Sequence, residues 1–308
     1  MSLNKQNILV VGGTGFIGFH LIKKLVKNKN YKIISFSTKK PSTEKKLSNV
    51  QYIICDITNK SKIKKKLINK RIDYVINLGG YVDHKNKSKT YKSHYIGSKN
   101  LVESLISKRI KRFIQLGSSV EYGFLKSPQK ENLQLKQKSL KSTYGQAKFK
   151  TTKLLIKYYK AIKFPAVILR LYIAYGPNQN TNRFIPIIID SCLKKKEFDC
   201  LKGTQIRDFI YVDDLVDIII KCFKNKNNLG KILNVGTGKQ HNIKNIINKI
   251  VKQTSGGIPK FGKIKLRKDE PLKLFPDITK IKKYLNWKPK YSFNRGLEKT
   301  INYYKNNK

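Results

Sequence analysis

The stretch "NILVVGGTGFIGFHLI" (residues 7–22) carries a short apolar run into a cluster of glycines, then into a segment where Ile17, Leu21 and Leu25 recur every four residues. The run reads as a strand buried on both faces, and the recurrence as an amphipathic helix. Between them Gly12, Gly15 and Gly18 form a GxxGxxG pattern, with Gly13 in a variable place. The first glycine makes the tight turn. The second lets backbone approach a pyrophosphate, and the third lets helix and strand pack closely. The helix then turns free N–H groups and the positive end of its dipole toward phosphate. In this strand–turn–helix setting the pattern predicts dinucleotide binding.

Further apolar runs follow at 31–37, 50–55, 73–78, 112–117 and 166–171, separated by helical patterns. This alternation predicts an α/β, Rossmann-type, doubly wound parallel sheet. After residue 170 the rhythm loosens through "YIAYGPNQNTNRF", an apolar helix at 184–195 and "RDFIYVDDLVDIIIKCF", where Asp213 or Asp214 reads as a helix cap. The expected division is a dinucleotide-binding domain over 1–170, with 207–235 returning to it. A smaller C-terminal α/β substrate-binding domain takes 171–206 and 236–308.

Composition narrows the partners. The formal net charge is +49, yet only eight of the 67 basic residues are arginine, and the lysines are dispersed along the chain. Nucleic-acid surfaces concentrate arginine for bidentate and stacking contacts, so the charge reads as compositional and no nucleic acid is expected. No apolar run approaches the roughly 20 residues that cross a bilayer, so no membrane partner is expected. Cys55, Cys192, Cys200 and Cys222 show no CxxC pairing, and the four histidines no metal-ligand spacing. Reduced, buried thiols, a cytoplasmic location and no metal follow as expectations.

The second apolar run ends in "IISFSTKKPS", where an acidic residue would grip the adenosine ribose of NAD. Instead Ser37 and Lys39 stand there, with no carboxylate to repel a 2′-phosphate. The expectation is NADP(H) ahead of NAD(H). Asp56, after the third run, is placed for the adenine amino group.

"STYGQAK" (142–148) sets Tyr144 four residues before Lys148, but seven of the 17 tyrosines have lysine at that spacing. Spacing alone therefore selects nothing. The wider set does: "GGTGFIG", "INLGG" (76–80), "GSSVEYG" (117–123), "STYGQAK", "LRLYIAYGP" (169–177), "RDFIYVDDL" (207–215), "LNVGTG" (233–238) and "LNWKP" (285–289). In order and spacing these resemble the extended short-chain dehydrogenase/reductases of the NAD-dependent epimerase/dehydratase family, which remodel nucleotide sugars.

The resemblance implies that Tyr144 exchanges the sugar hydroxyl proton, Lys148 supports it and holds the nicotinamide ribose, and Ser118 hydrogen-bonds the reacting oxygen. It implies a cofactor site of Gly12, Gly15, Phe16, Ile17, Gly18, Ser37, Lys39, Asp56, Ile57, Leu78, Gly79 and Gly80, with Tyr144 and Lys148. Ser119, Glu121, His94, Ile173, Arg207 and Arg267 fall on the substrate side. The two arginines match residues that hold the substrate diphosphate; either could instead pair at the surface with Asp208 or Asp269. His94 and Ile173 stand where the family usually has Asn, and Gly79–Gly80 replaces a common Ala–Ala, a change expected to be harmless. Glu121 lies one place beyond the acidic residues a 4,6-dehydratase uses, so it reads better as a loop anchor. The implied partner is a nucleoside-diphosphate sugar and the implied assembly a homodimer. The expected reaction is 4-keto reduction, with 4-epimerisation as the alternative.

Overall fold

The computed structural model describes residues 5–132, 140–267 and 270–307. Strands β1 (Gln6–Val11), β2 (Tyr31–Ser37), β3 (Val50–Ile54), β4 (Tyr74–Asn77), β5 (Arg112–Ser118) and β6 (Ala166–Leu171) fall within two residues of the six apolar runs. Three further strands, β7 (Ile173–Tyr175), β8 (Glu197–Cys200) and β9 (Ile206–Arg207), precede β10 (Phe209–Tyr211) and β11 (Ile232–Val235). The seven-stranded sheet runs β11-β6-β5-β4-β1-β2-β3. The pairings of β1 with β2 and β4, of β2 with β3, and of β4 with β5 are all parallel. Strand order therefore reverses between β1 and β4. In open α/β sheets ligands bind beyond the carboxyl ends of the strands at such a reversal.

Helices α1 (Phe16–Leu25), α2 (Lys60–Leu67), α3 (Lys87–Tyr91), α4 (Gly97–Glu103) and α5 (Thr143–Ile162) follow the early strands. Leu9, Val11, Phe36, Val75, Leu101, Val102, Phe113 and Leu155 form one buried cluster around the sheet. Each such side chain contributes roughly 1.5–3 kcal/mol when taken fully out of water.

The chain divides into two compact units, each assembled from separate segments. The first holds Met1–Tyr122, Gln134–Arg170 and Val216–Leu233; the second holds Gly123–Leu133, Leu171–Leu215 and Asn234–Lys308. Three corrections to the expected boundaries follow. Residues 123–132 and 234–235 belong to the second unit, and so do 207–215. The reason for the latter is pairing: β10 lies parallel to β7, from Phe209 against Ile173 to Tyr211 against Tyr175. Helix α6 (Phe184–Leu193) also lies in the second unit, and α7 (Val212–Lys224) begins there. Asp213 and Asp214 lie inside the first turn of α7, not ahead of it. The Asp214 carboxylate accepts the backbone N–H groups of Lys290 and Tyr291.

All four cysteines are buried with free thiols. Among the described residues no helix is long and apolar enough to cross a membrane, and no cluster of His, Cys, Asp and Glu could hold a metal ion.

Candidate active site

The glycine turn after β1 is tight at every point. Gly12 has a φ of +79°, and a Cβ there would lie 3.1 Å from the backbone of Leu78 and Gly79, beyond the end of β4. A Cβ on Gly18 would come within 2.3 Å of the Gly12 carbonyl, so α1 sits directly on the turn. Gly13, read from sequence as a variable place, has no more room: a Cβ would fall 2.3 Å from Ser35 Oγ and 2.6 Å from Ile22 Cδ1. The nearer of these contacts comes from β2, which the local motif does not show.

Ser37 ends β2 beside this turn and accepts the Thr14 N–H at 3.3 Å, which leaves its own O–H to donate elsewhere. Lys39 and Asp56 are exposed, and Asp56 uses one carboxylate oxygen on the Thr58 N–H. Ile57 is buried and fills the space beside Gly79 and Gly97, so its first role is packing. Phe16 and Ile17 are half-buried at the start of α1. Asn77, at the end of β4, donates to Ser98 and Gln115 and accepts the Gly79 N–H. That buried network fixes the Leu78–Gly79 backbone. The turn, the helix start and a hydroxyl facing them together fit a dinucleotide.

Helix α5 carries Tyr144 and Lys148, the pair expected from sequence to transfer the proton. Ser142 caps it by accepting the Gly145 N–H at 3.0 Å, and the missing side chain of Gly145 brings the helix start against the Val120 carbonyl. Tyr144 and Lys148 then lie one turn apart on one face. Lys148 Nζ is 5.8 Å from the Tyr144 ring centre and donates to the Leu116 carbonyl at 2.7 Å. Burial lowers the Lys148 pKa to about 8, with the Glu121 charge opposing the shift. Two imidazoles meet the Tyr144 ring: His84 lies flat on it at 3.9 Å and His94 meets it edge-on at 4.8 Å. His84 was not singled out from sequence. Its only signals were the scarcity of histidine and its place shortly after "INLGG".

Ser118 ends β5, buried, with its hydroxyl accepting the Val120 N–H at 3.4 Å. Ser119 is buried in the short turn that follows. Glu121 is wholly enclosed. Its carboxylate accepts the Ser118 N–H at 2.9 Å, the Thr152 hydroxyl at 2.7 Å and Arg170 Nε at 3.0 Å. Arg170 is 2% exposed and stacks over the Tyr122 ring at 4.6 Å. With these partners from its own unit the carboxylate anchors the β5 turn, and its placement on the substrate side is corrected accordingly.

In the second unit Ile173 opens β7, half-buried. Arg207 is buried. It donates to the carbonyls of Ile206 and Leu272 and pairs with Glu270 at 2.6 Å. Arg267 is exposed and faces the other oxygen of Glu270 at 3.6 Å. One carboxylate thus stands between the two arginines. Asp208 is not their partner: it accepts the Thr237 N–H and hydroxyl, and burial raises its pKa to about 6. Asp269 lies outside the described residues.

The model of the NAD-dependent epimerase/dehydratase family matches residues 8–236, and the chain belongs to that family. It is 28% identical to bovine dTDP-D-glucose 4,6-dehydratase over 98% of this chain and 89% of that protein. It is 27% identical to the CDP-abequose synthase of Salmonella muenchen over 98% of both chains. Among solved structures, the UDP-glucuronic acid 4-epimerase of Bacillus cereus, in complex with UDP-glucuronic acid and NAD, is 28% identical. It superposes with a TM-score of 0.89 over 98% of this chain and 100% of that one. The fold is the Rossmann type expected from sequence, and the relatives modify nucleotide sugars.

Proposed function

We propose that the protein is a nicotinamide-dependent 4-ketoreductase acting at C4 of a nucleoside-diphosphate 6-deoxyhexose. A nicotinamide held there would supply hydride to the carbonyl carbon. The Tyr144 phenol gives the proton to the carbonyl oxygen, which Ser118 holds by a hydrogen bond. The Lys148 ammonium, anchored on the Leu116 carbonyl, steadies negative charge on the phenol oxygen. Arg207 and Arg267 hold the diphosphate, displacing Glu270 from between them.

The observation that carries this reading is the enclosure of Glu121. A 4,6-dehydratase must also remove the C5 proton and protonate the leaving C6 hydroxyl. Here Ser119 and Val120 follow Ser118, and the nearest carboxylate in the turn is already committed to Thr152 and Arg170. A second reading, 4-epimerisation, draws support from the Bacillus cereus relative. Incubation with dTDP-, CDP-, UDP- and GDP-linked 4-keto-6-deoxy sugars separates the two. Stoichiometric oxidation of NADPH is the expected result; exchange of C4 epimers without net oxidation favours the epimerase. Formation of a 4-keto-6-deoxy product from an unmodified hexose nucleotide would overturn both.

The cofactor is proposed to be NADP(H), because Ser37 and Lys39 replace the carboxylate that would repel the 2′-phosphate. Ser37→Asp is expected to weaken NADPH binding roughly tenfold or more, about 1.4 kcal/mol, with little loss for NADH. Fluorescence titration with both cofactors measures it. Tighter binding of NADH by the unaltered protein would remove the proposal. A homodimer is also proposed, on the family resemblance.

A further inference from the structure

Two departures from the family pattern, His94 and Gly80, turn out to be one structural change. A Cβ on Gly80 would lie 1.9 Å from His94 Cε1 and 2.4 Å from Nδ1. Alanine at position 80 and this imidazole position therefore exclude each other. We propose that His94 is a positioning residue for the Tyr144 phenol, admitted to its place by the missing side chain of Gly80. The inference rests on the reading of Tyr144 as the proton-transfer group.

His94 links the two segments that carry Tyr144 and His84. It lies in a single π-helical turn, Lys92–Ile96, between α3 and α4. Such turns put an extra residue into a helix and free backbone groups from the usual ladder. The His94 carbonyl accepts the Ser98 hydroxyl and, from α5 itself, the Thr151 hydroxyl, each at 2.8 Å. Its Nε2 lies 3.1 Å from the Tyr81 carbonyl. A carbonyl only accepts, so Nε2 carries the hydrogen and Nδ1 is bare. The Tyr81 N–H is held by Ser93 at 2.9 Å. Consecutive residues of the π-turn thus grip both backbone polar groups of Tyr81, three residues before His84, whose ring lies flat on Tyr144. The His94 ring closes the edge of the same tyrosine. It is buried, its Nδ1 has no hydrogen-bond partner, and burial with the Lys148 charge pushes its pKa down to about 2. It therefore stays neutral and adds no second cation beside Lys148. Asparagine could make one of these polar contacts but has no ring to set against the phenol.

The test is a double-mutant cycle of Gly80→Ala and His94→Asn. NOEs between the Tyr144 and His84 rings of the ligand-free chain, with the Tyr144 signals assigned by their loss in Tyr144→Phe, read position without any substrate and without the ring current of His94. Reduction of a 4-keto nucleotide sugar by NADPH reads function. Gly80→Ala is expected to weaken these NOEs and lower kcat on the order of 100-fold, the cost of a misplacement of about 1 Å, with KM little changed. His94→Asn alone is expected to weaken the same NOEs and cost about tenfold in kcat. Adding Gly80→Ala to His94→Asn should then cost nothing more, because the clash is gone. NOEs unchanged in His94→Asn, or kcat losses that multiply in the double variant, would overturn the proposal. His94→Asn removes atoms without creating a clash, so it decides the matter even if Gly80→Ala does not fold. Should no nucleotide sugar be turned over by the unaltered protein, the proposed function fails, and the NMR arm still decides the positioning role.

Discussion

Tyr144→Phe is expected to lower turnover by about 10²–10⁴-fold while cofactor affinity stays nearly constant. The substitution removes one oxygen and leaves the ring in place between His84 and His94. What is lost is the only group on that ring able to give or take a proton. On the proposed reading, the neighbouring lysine sets the pH range in which the phenol works. An ordinary lysine keeps its proton to above pH 10, whereas burial brings Lys148 to about 8. Its charge is therefore present below that value and lost as the pH rises through it. Turnover should fall on the alkaline side with a midpoint near 8, and that limb should move in Lys148→Arg. Steady-state kinetics across pH, with a cofactor titration of each variant, checks both statements. Near-normal turnover by Tyr144→Phe would show that another group carries the proton.

Arg170→Met is expected to destabilise the protein by about 3–5 kcal/mol, the usual cost of stranding one partner of a buried ion pair. Arg170 and Glu121 are 2% and 0% exposed, and Arg170 Nε to Glu121 Oε2 is 3.0 Å. Without the guanidinium the carboxylate keeps only the Ser118 N–H and the Thr152 hydroxyl. The thermal midpoint should drop by about 10 °C. Pairing the change with Glu121→Gln should recover much of the loss, because the uncompensated charge goes with it. Calorimetry of the single and double variants measures this, and an unchanged midpoint in Arg170→Met would refute the anchoring role. Ser118 hangs from the same carboxylate through its N–H, so activity should fall together with stability.

The strands of the central sheet were legible because both faces of a parallel strand are buried, which makes its sequence continuously apolar. Tyr144 was legible only through its neighbours: seven tyrosines share the lysine spacing, and what distinguishes Tyr144 is its interval from the end of β5. The constraint on Gly13 was hidden because Ser35 lies on the next strand and meets it only in the folded sheet. His94 and Gly80 were each visible as departures, but their dependence on one another is a distance between a helix and a loop. The pairing of Arg207 with Glu270 was missed in favour of its sequence neighbour Asp208, which turns instead to Thr237. Contacts across 60 residues leave no periodic trace.

The interleaving of the two units bears on how the chain is made. Strand β6 ends at Leu171, but its outer neighbour β11 does not begin until Ile232. A ribosome adding about 5–20 residues per second leaves that edge of the sheet bare for several seconds while the intervening segment emerges. An unpaired apolar strand is an invitation to pair with another chain. A product terminated at residue 215 would carry the bare edge permanently, and neither unit can be liberated by a single cut.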